Sequence, residues 1–263
     1  MIIVDDCSTD NSWELIQRLA QKDSRIKPIK HDRNRGASRS RNDGLRAAQG
    51  DFIGFCDSDD IWDRRKLEFQ NQLLRENPNY GATYCDSIII DEAGIETGRR
   101  FSRRFPPPKP PSGWLFPHLV RRNFINMQSV LMRKECLQDT GYFDEGIKWV
   151  EDWWYWIQLS RRHRFLYFPN PLARYRIHDC STNLVQRRGY CVNRYKVYHR
   201  ILQQCSDLPL HVRTEMIYYM GTELCEMGKR GAGHRLLWDS AKASIIHWRT
   251  FGIFCRATRR LLF

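Results

Sequence analysis

The sequence lacks any apolar run near the roughly 20 residues that a helix needs to cross a bilayer, so no membrane-spanning helix is expected in its 263 residues. It also lacks a Cys-x-x-Cys pair. Its nine cysteines are scattered and odd in number, which argues against a disulfide framework and a zinc knuckle and for a reducing compartment. No secretory leader pattern is seen, because Met1 runs through Ile2-Ile3-Val4 straight into Asp5-Asp6. No repeat of about 20–50 residues stands out. Acidic residues are scarce toward the end. Residues 161–263 hold 6 of them against 19 Lys and Arg, whereas residues 1–160 hold 24 of each, so the whole formal charge of +13 belongs to the last part. Such a division pairs an acid-rich part suited to chemistry with a basic part suited to a polyanionic surface.

What is present is a globular α/β pattern. Ile2-Ile3-Val4 reads as a buried strand that ends in a polar loop, Asp5 to Ser12. Trp13, Ile16, Leu19 and Ala20 recur at helical spacing behind a cap at Asn11 or Ser12. A short strand at 26–29 precedes a helix over 37–49, with Gly50 as its C′ residue. A strand over 52–56 ends in Asp57-Ser58-Asp59-Asp60, and a helix then runs toward Pro78. Residues 80–90 are strand-like and 91–94 form a turn. The proline-rich stretch 105–111 is extended loop. An aromatic helix spans about 149–162, short strands 165–168 and 172–177 follow, and the rest from Leu184 is helical. Strands alternating with helices predict a mostly parallel sheet flanked by helices.

Several clusters carry chemistry. In open α/β sheets ligands bind outside the carboxyl ends of strands, where Asp57, Asp59 and Asp60 stand. Such carboxylates suit a hard divalent cation completed by a substrate phosphate; the alternative is a polar turn in which Asp60 or Asp63 caps the next helix. Asp5 and Asp6 make a second acidic strand end, with helix capping by Asp10 or Ser12 as the alternative. Arg35, Arg39 and Arg41 open a helix, as a phosphate site would, or simply form a solvated basic face. Glu151-Asp152 lies among Trp149, Trp153, Trp154 and Trp156. There a partly desolvated carboxylate gains basicity, unless it is merely an exposed first helical turn. His178 ends a strand as a metal ligand, a phosphate contact or a structural residue.

Read in order, these pieces resemble the family 2 glycosyltransferases, inverting enzymes of the GT-A fold. The matching stretches are Ile-Val-Asp-Asp-x-Ser-Thr-Asp (3–10), Asn-x-Gly-x-Ser-x-x-Arg-Asn-x-Gly (34–44), and Ala-x-Gly-Asp-Phe-Ile-x-Phe-x-Asp-Ser-Asp-Asp-x-Trp (48–62). Gly-Tyr-Phe-Asp-Glu (141–145), Glu-Asp-Trp-x-x-Trp-x-x-Leu (151–159) and Tyr-Arg-x-His (175–178) complete the set. The resemblance implies an α/β GT-A (Rossmann-like) catalytic domain over 1–183 and a basic helical region over 184–263. It implies that Asp6, with its neighbour Asp5, binds the nucleotide, and that Asp57 and Asp59 form the Asp-x-Asp pair, Asp59 being the direct metal ligand. Asp152 matches the catalytic base and Glu151 its supporting partner. Arg41 and His178 are phosphate-side or metal-side contacts. The implied cofactor is Mg²⁺ or Mn²⁺. The implied donor is a nucleotide sugar, UDP being weakly preferred, and the acceptor a hydroxyl of a cell-surface glycan or lipid-linked saccharide. Family members carry a further strand, with a Pro-x-Tyr-Asn-like loop and a helix, before the Val-Asp-Asp strand. Here Met1 stands inside that strand, so the expectation is a wrongly assigned start, with an impaired fragment or non-catalytic scaffold as the alternative.

The basic tail mixes Ile245, Ile246, Trp248, Phe251 and Phe254 with Arg249, Arg256, Arg259 and Arg260. That pattern suits peripheral contact with an anionic membrane, placing the protein in the cytoplasm or on the inner face of its membrane; a small helical bundle is the alternative for 184–247. Without a recognisable nucleic-acid motif, no nucleic-acid partner is expected.

Overall fold

In the computed structural model the described residues are 1–104, 111–178, 187–245 and Arg256. The expected loop residues 105–110, the 183–184 boundary and most of the tail lie outside them. The chain divides into two compact units, one of residues 1–116 and 124–178 and the other of 117–123 and 179–263.

The first unit opens with β1 (Ile2–Asp5), α1 (Ser12–Lys22), β2 (Lys27–Lys30) and α2 (Ala37–Ala47). β1 and β2 pair in parallel, Asp5 opposite Lys30. Asn11 holds the cap position of α1 but makes no side-chain cap bond. α2 ends at Ala47 and its cap, Ala48, is extended, so Gly50 is not the left-handed C′ residue that the sequence suggests. β3 (Phe52–Gly54), the two-residue β4 (Ile61–Trp62), α3 (Lys66–Glu76), β5 (Ala82–Ile90) and β6 (Glu96–Arg100) follow. After the one-turn helix α4 (Phe116–Leu119) come β7 (Val130–Arg133), the one-turn α5 (Leu137–Thr140), α6 (Glu151–Ser160) and β8 (Phe165–Arg176).

The larger sheet runs β3-β7-β5-β8-β4, with β6 added to β5. The α/β class is as expected, but the pairing is more mixed than strand–helix alternation implies. Among the described residues β1–β2 and β5–β8 are parallel, whereas β3–β7, β5–β7, β4–β8 and β5–β6 are antiparallel. No ladder there joins β1 to β3. The two short strands expected at 165–177 are one strand. Cys85 pairs with Phe168 and Asp86 with Pro171, so a bulge absorbs Pro169 and Asn170 without ending the ladder.

The core is aromatic. Trp156 is fully buried and meets Phe55 and Phe165 edge-on, while Phe143 stacks on Tyr155 at 4.0 Å. α6 is apolar on most of its circumference because it is buried on most of it. α2 ties the smaller sheet to this core. The Asn42 amide, 1% exposed, donates to the Phe143 carbonyl (2.9 Å) and accepts from the Phe143 N–H (2.8 Å).

The second unit contains α7 (Arg187–Gln204), α8 (Leu210–Glu226) and α9 (Arg230–Ile245), in line with the expected helical region. α8 packs on both neighbours. Its crossing with α9 needs glycine, since a Cβ at Gly233 would stand 2.8 Å from the Gly221 carbonyl oxygen. Tyr218, Leu237 and Ala241 form the apolar contact beside it.

Replacing Asn42 with Ala leaves the Phe143 N–H and C=O buried without this partner. The expected cost is about 2–4 kcal/mol, measurable by urea denaturation; a loss within experimental error would show that α2 is held elsewhere.

Candidate functional site

The carboxyl end of β1 delivers Asp5 and Asp6. Asp5 is 3% exposed, and its backbone oxygen accepts the His31 N–H (2.9 Å) one step beyond β2. The parallel register therefore brings the His31 ring to Asp6. Nδ1 lies 2.7 Å from Asp6 and Nε2 3.1 Å from Asp43 on α2. Asp6 also accepts the backbone N–H groups of Arg35 and Gly36, each at 2.7 Å. Burial alone would raise the Asp6 pKa, but the His31 bond and the two amides outweigh it and hold it below the usual aspartate value. Three of its roughly four lone-pair positions are thus engaged within the protein. The next residue, Cys7, has φ 67°. The Asp10 carboxylate accepts the N–H of Ser12, the first residue of α1 (3.0 Å), and so satisfies one of the open amides at that helix start.

Arg41 lies one helical turn into α2 and joins two motifs far apart in sequence. Its guanidinium donates to Glu151 at 2.6 Å and to Asp57 at 2.8 Å. Burial opposes its charge, yet the two carboxylates outweigh that and hold it protonated beyond the ordinary arginine value. Glu151 is buried, and its second oxygen has no hydrogen-bond partner among the described residues. Asp152 follows, half-buried, its Oδ1 accepting the Trp153 N–H at 2.6 Å. The acids occupy the first turn of α6, where the dipole favours them, but that turn is not exposed: Glu151 is buried and Asp152 half-buried, with Trp153, Trp154 and Trp156 buried behind them. Trp149, just ahead, has φ 64°. Among the described residues only Cys7 and Trp149 are non-glycines with positive φ, and each adjoins a candidate acidic motif. Backbone strain of this kind concentrates at functional sites.

The acidic loop is fixed from its far side. β4 pairs with β8, Ile61 opposite Arg174, which lays residues 57–60 against the end of β8. There the His178 ring Nε2 is 3.3 Å from Asp59 Oδ2. Asp60 accepts the Arg176 N–H at 2.8 Å, so it closes this junction and does not cap α3. Burial, with the charges of Asp59 and Asp57, raises the Asp60 pKa to about 7 against the opposing amide. The Asp63 carboxylate accepts the Arg65 N–H just ahead of α3 (3.0 Å), and its backbone carbonyl accepts the N–H of Lys66, the first residue of α3 (3.0 Å).

The structure thus brings Arg41, Asp57 and Glu151 into direct contact, and joins Asp59 to His178. Asp6 is linked to the same helix by its N-terminal amides. Among the described residues no three His, Cys, Asp or Glu side chains are grouped to hold a cation by themselves. Asp59 and His178, 46% and 23% exposed, could supply two accessible donors. That donor set suits a Mg²⁺ or Mn²⁺ ion whose remaining positions come from water and ligand phosphate. Sequence reasoning missed His31, Asp43, Asn42 and Arg176. Of these, Asn42 and Arg176 fall inside the 34–44 and 175–178 matches, whereas the partners of His31 depend on strand register.

Comparison with known proteins bears on this arrangement. The family described as Glycosyl transferase family 2 matches residues 1–133. An uncharacterized glycosyltransferase of Rickettsia bellii is 31% identical over 72% of this chain and 26% of its own length. The chain thus spans about a quarter of that relative. TuaG of Bacillus subtilis, named for teichuronic acid biosynthesis, is 45% identical over 67% of both chains. WfaP of Escherichia coli, a UDP-Glc:alpha-D-GlcNAc-diphosphoundecaprenol beta-1,3-glucosyltransferase, is 46% identical over 36% of this chain and 50% of its own. Among solved structures, TarS of S. aureus with UDP-GlcNAc gives a TM-score of 0.64 at 17% identity, covering 96% of this chain and 74% of that one. A mannosyltransferase of Pyrobaculum calidifontis with GDP-Man and Mn²⁺ gives 0.60 at 16% identity, covering 100% and 71%. At such identities these two establish the fold alone.

Asp60 yields a pH test. Its folded pKa, about 7, exceeds the ordinary 3.8, so its contribution is fully present below about pH 4 and is lost as pH rises to about 7. Asp60→Asn keeps an acceptor for Arg176 and removes the charge. In chelator, the gain in Tm of this variant over the parent should grow from pH 4 to pH 7 and then level. A pH-independent difference would contradict the buried-carboxyl assignment.

Proposed function

Because the chain belongs to family 2 of the glycosyltransferases, we propose that it is an enzyme that transfers a sugar, with inversion, from a nucleotide sugar to an acceptor hydroxyl. The carrying observation is the Arg41 bridge. One guanidinium holds Asp57 of the Asp-Ser-Asp-Asp loop and Glu151 of the Glu-Asp pair, so the diphosphate side and the base side of a displacement lie next to each other. Asp6 and Asp5 serve the nucleotide. Asp152 removes the proton from the acceptor hydroxyl as that oxygen attacks the anomeric carbon. The carbon–oxygen bond to the nucleoside diphosphate breaks in the same step, and one attack on one face inverts the centre. Glu151 and Arg41 keep the two sides in register. Asp59 and His178, with Asp57, would hold a divalent cation, whose chemistry is to neutralise charge on a departing diphosphate.

The acceptor class is a cell-surface glycan or lipid-linked saccharide. The names of TuaG and WfaP support this reading, and the name of WfaP, which specifies UDP-Glc, supports UDP as the nucleotide. Asp152→Asn should lower turnover at least about 100-fold, the usual range for a general base, with nucleotide affinity nearly unchanged by calorimetry. Near-parental turnover would remove Asp152 from the mechanism.

No helix among the described residues is long and apolar enough to cross a membrane. The basic excess of residues 161–263 supports peripheral contact with an anionic leaflet on its cytoplasmic side. α9 contributes an exposed Trp238 with the Lys242 ammonium 5.4 Å from its ring centre, a pairing suited to the lipid headgroup region. Co-sedimentation with phosphatidylglycerol vesicles should fall sharply when residues 244–263 are removed. Equal binding by both forms would assign the tail another role.

A further inference from the structure

Arg176 is the last residue of β8, at the end of the β5–β8 ladder and two residues past the Ile61–Arg174 pair that ends the β4–β8 ladder. The β5–β8 register places it opposite Ile90, and the β4–β8 register places the acidic loop beside it. Its backbone N–H is given to the Asp60 carboxylate. Its side chain reaches three carbonyl oxygens: Nε donates to Asp59 at 2.7 Å, and Nη1 donates to Asp91 at 3.0 Å and to Glu92 at 2.8 Å. The β5–β6 turn closes around it, since a Cβ at Gly94 would stand 3.5 Å from Nη1.

We propose that Arg176 is a positioning residue that locks the main chain of Asp59 to the 91–94 turn and so sets the direction of the Asp59 carboxylate. The inference rests on the assignment of Asp59 as a cation ligand, but the lock itself is a matter of geometry. A planar guanidinium with fixed donor directions bridges carbonyls from two segments, whereas an ammonium is a single point on a flexible stem. Arg176→Lys retains the charge and loses the bridge. Without the bridge, the Asp59 peptide rotates more freely and its carboxylate must be ordered when a cation binds. The turn at 91–94 loses the same partner, so both segments loosen together.

The test uses the full chain and the variants Arg176→Lys and Arg176→Gln, with circular dichroism to verify folding. Hydrogen exchange reads the lock directly. Amides of 57–60 and 91–95 should exchange faster in both variants while those of β5 and β7 stay unchanged. Mn²⁺ uptake with UDP present, followed by electron paramagnetic resonance of the free ion, reads its consequence. Apparent affinity should fall by about 10–100-fold, the usual effect of losing support behind a metal ligand, with UDP affinity in chelator unchanged. Unaltered exchange at both segments, or parental Mn²⁺ affinity in Arg176→Lys, overturns the proposal. Failure of the parent protein to take up Mn²⁺ with UDP instead removes the metal reading of Asp59, and the exchange data then decide the lock alone.

Discussion

The placement of Arg41 between Asp57 and Glu151 is the contact on which the site depends. Its guanidinium is 15% exposed and Glu151 11%, so both charges are largely removed from water. A buried charge is tolerated only when it is paired and hydrogen-bonded. The pairing therefore constrains all three elements at once: α2 must lie against the start of α6, and the loop after β3 must turn back toward both. Asn42, the next residue on α2, reinforces the same junction through Phe143. A single helix thus carries the charge contact and the neutral contact that align the acidic motifs.

The acidic groups are managed differently according to what surrounds them. Asp6 is engaged by three donors, which hold its pKa below the usual aspartate value. Asp57 is neutralised by Arg41. Asp60, facing burial and two like charges with one amide in compensation, gives up its charge near neutrality. The Asp59 carboxylate, 46% exposed against 39% for Asp57, has His178 as its ion-pair partner among the described residues. Repulsion within Asp57-Ser58-Asp59-Asp60 is relieved three ways, by a guanidinium, by a proton and by access to solvent.

Much of this was legible beforehand, because local rules act on neighbouring residues. The strand at 2–5, the helix at 37–47 and the break before the acidic loop follow from apolar periodicity and from polar residues at strand ends. Glu151-Asp152 at a helix start among tryptophans is likewise a short-range pattern. The two-residue β4 escaped notice because its existence comes from pairing with Ala173 and Arg174, more than 100 residues away. The continuity of β8 escaped because Pro169 and Asn170 imitate a strand end, which the ladder to β5 absorbs as a bulge.

The sequence by itself determined the family, the α/β alternation, the identity of the acidic residues and the concentration of positive charge in the helical last part. These follow from residue type, spacing and order along the chain. Only the tertiary structure decided which of those charges meet. Arg41 reads equally as a solvated basic face until α6 is packed against α2, and Arg176 as an ordinary strand residue until β4, β5 and β8 converge on it. Ion pairs and carbonyl bridges of this kind act over a few ångströms in space, between residues 16 to 117 apart in sequence, and no local pattern encodes that distance.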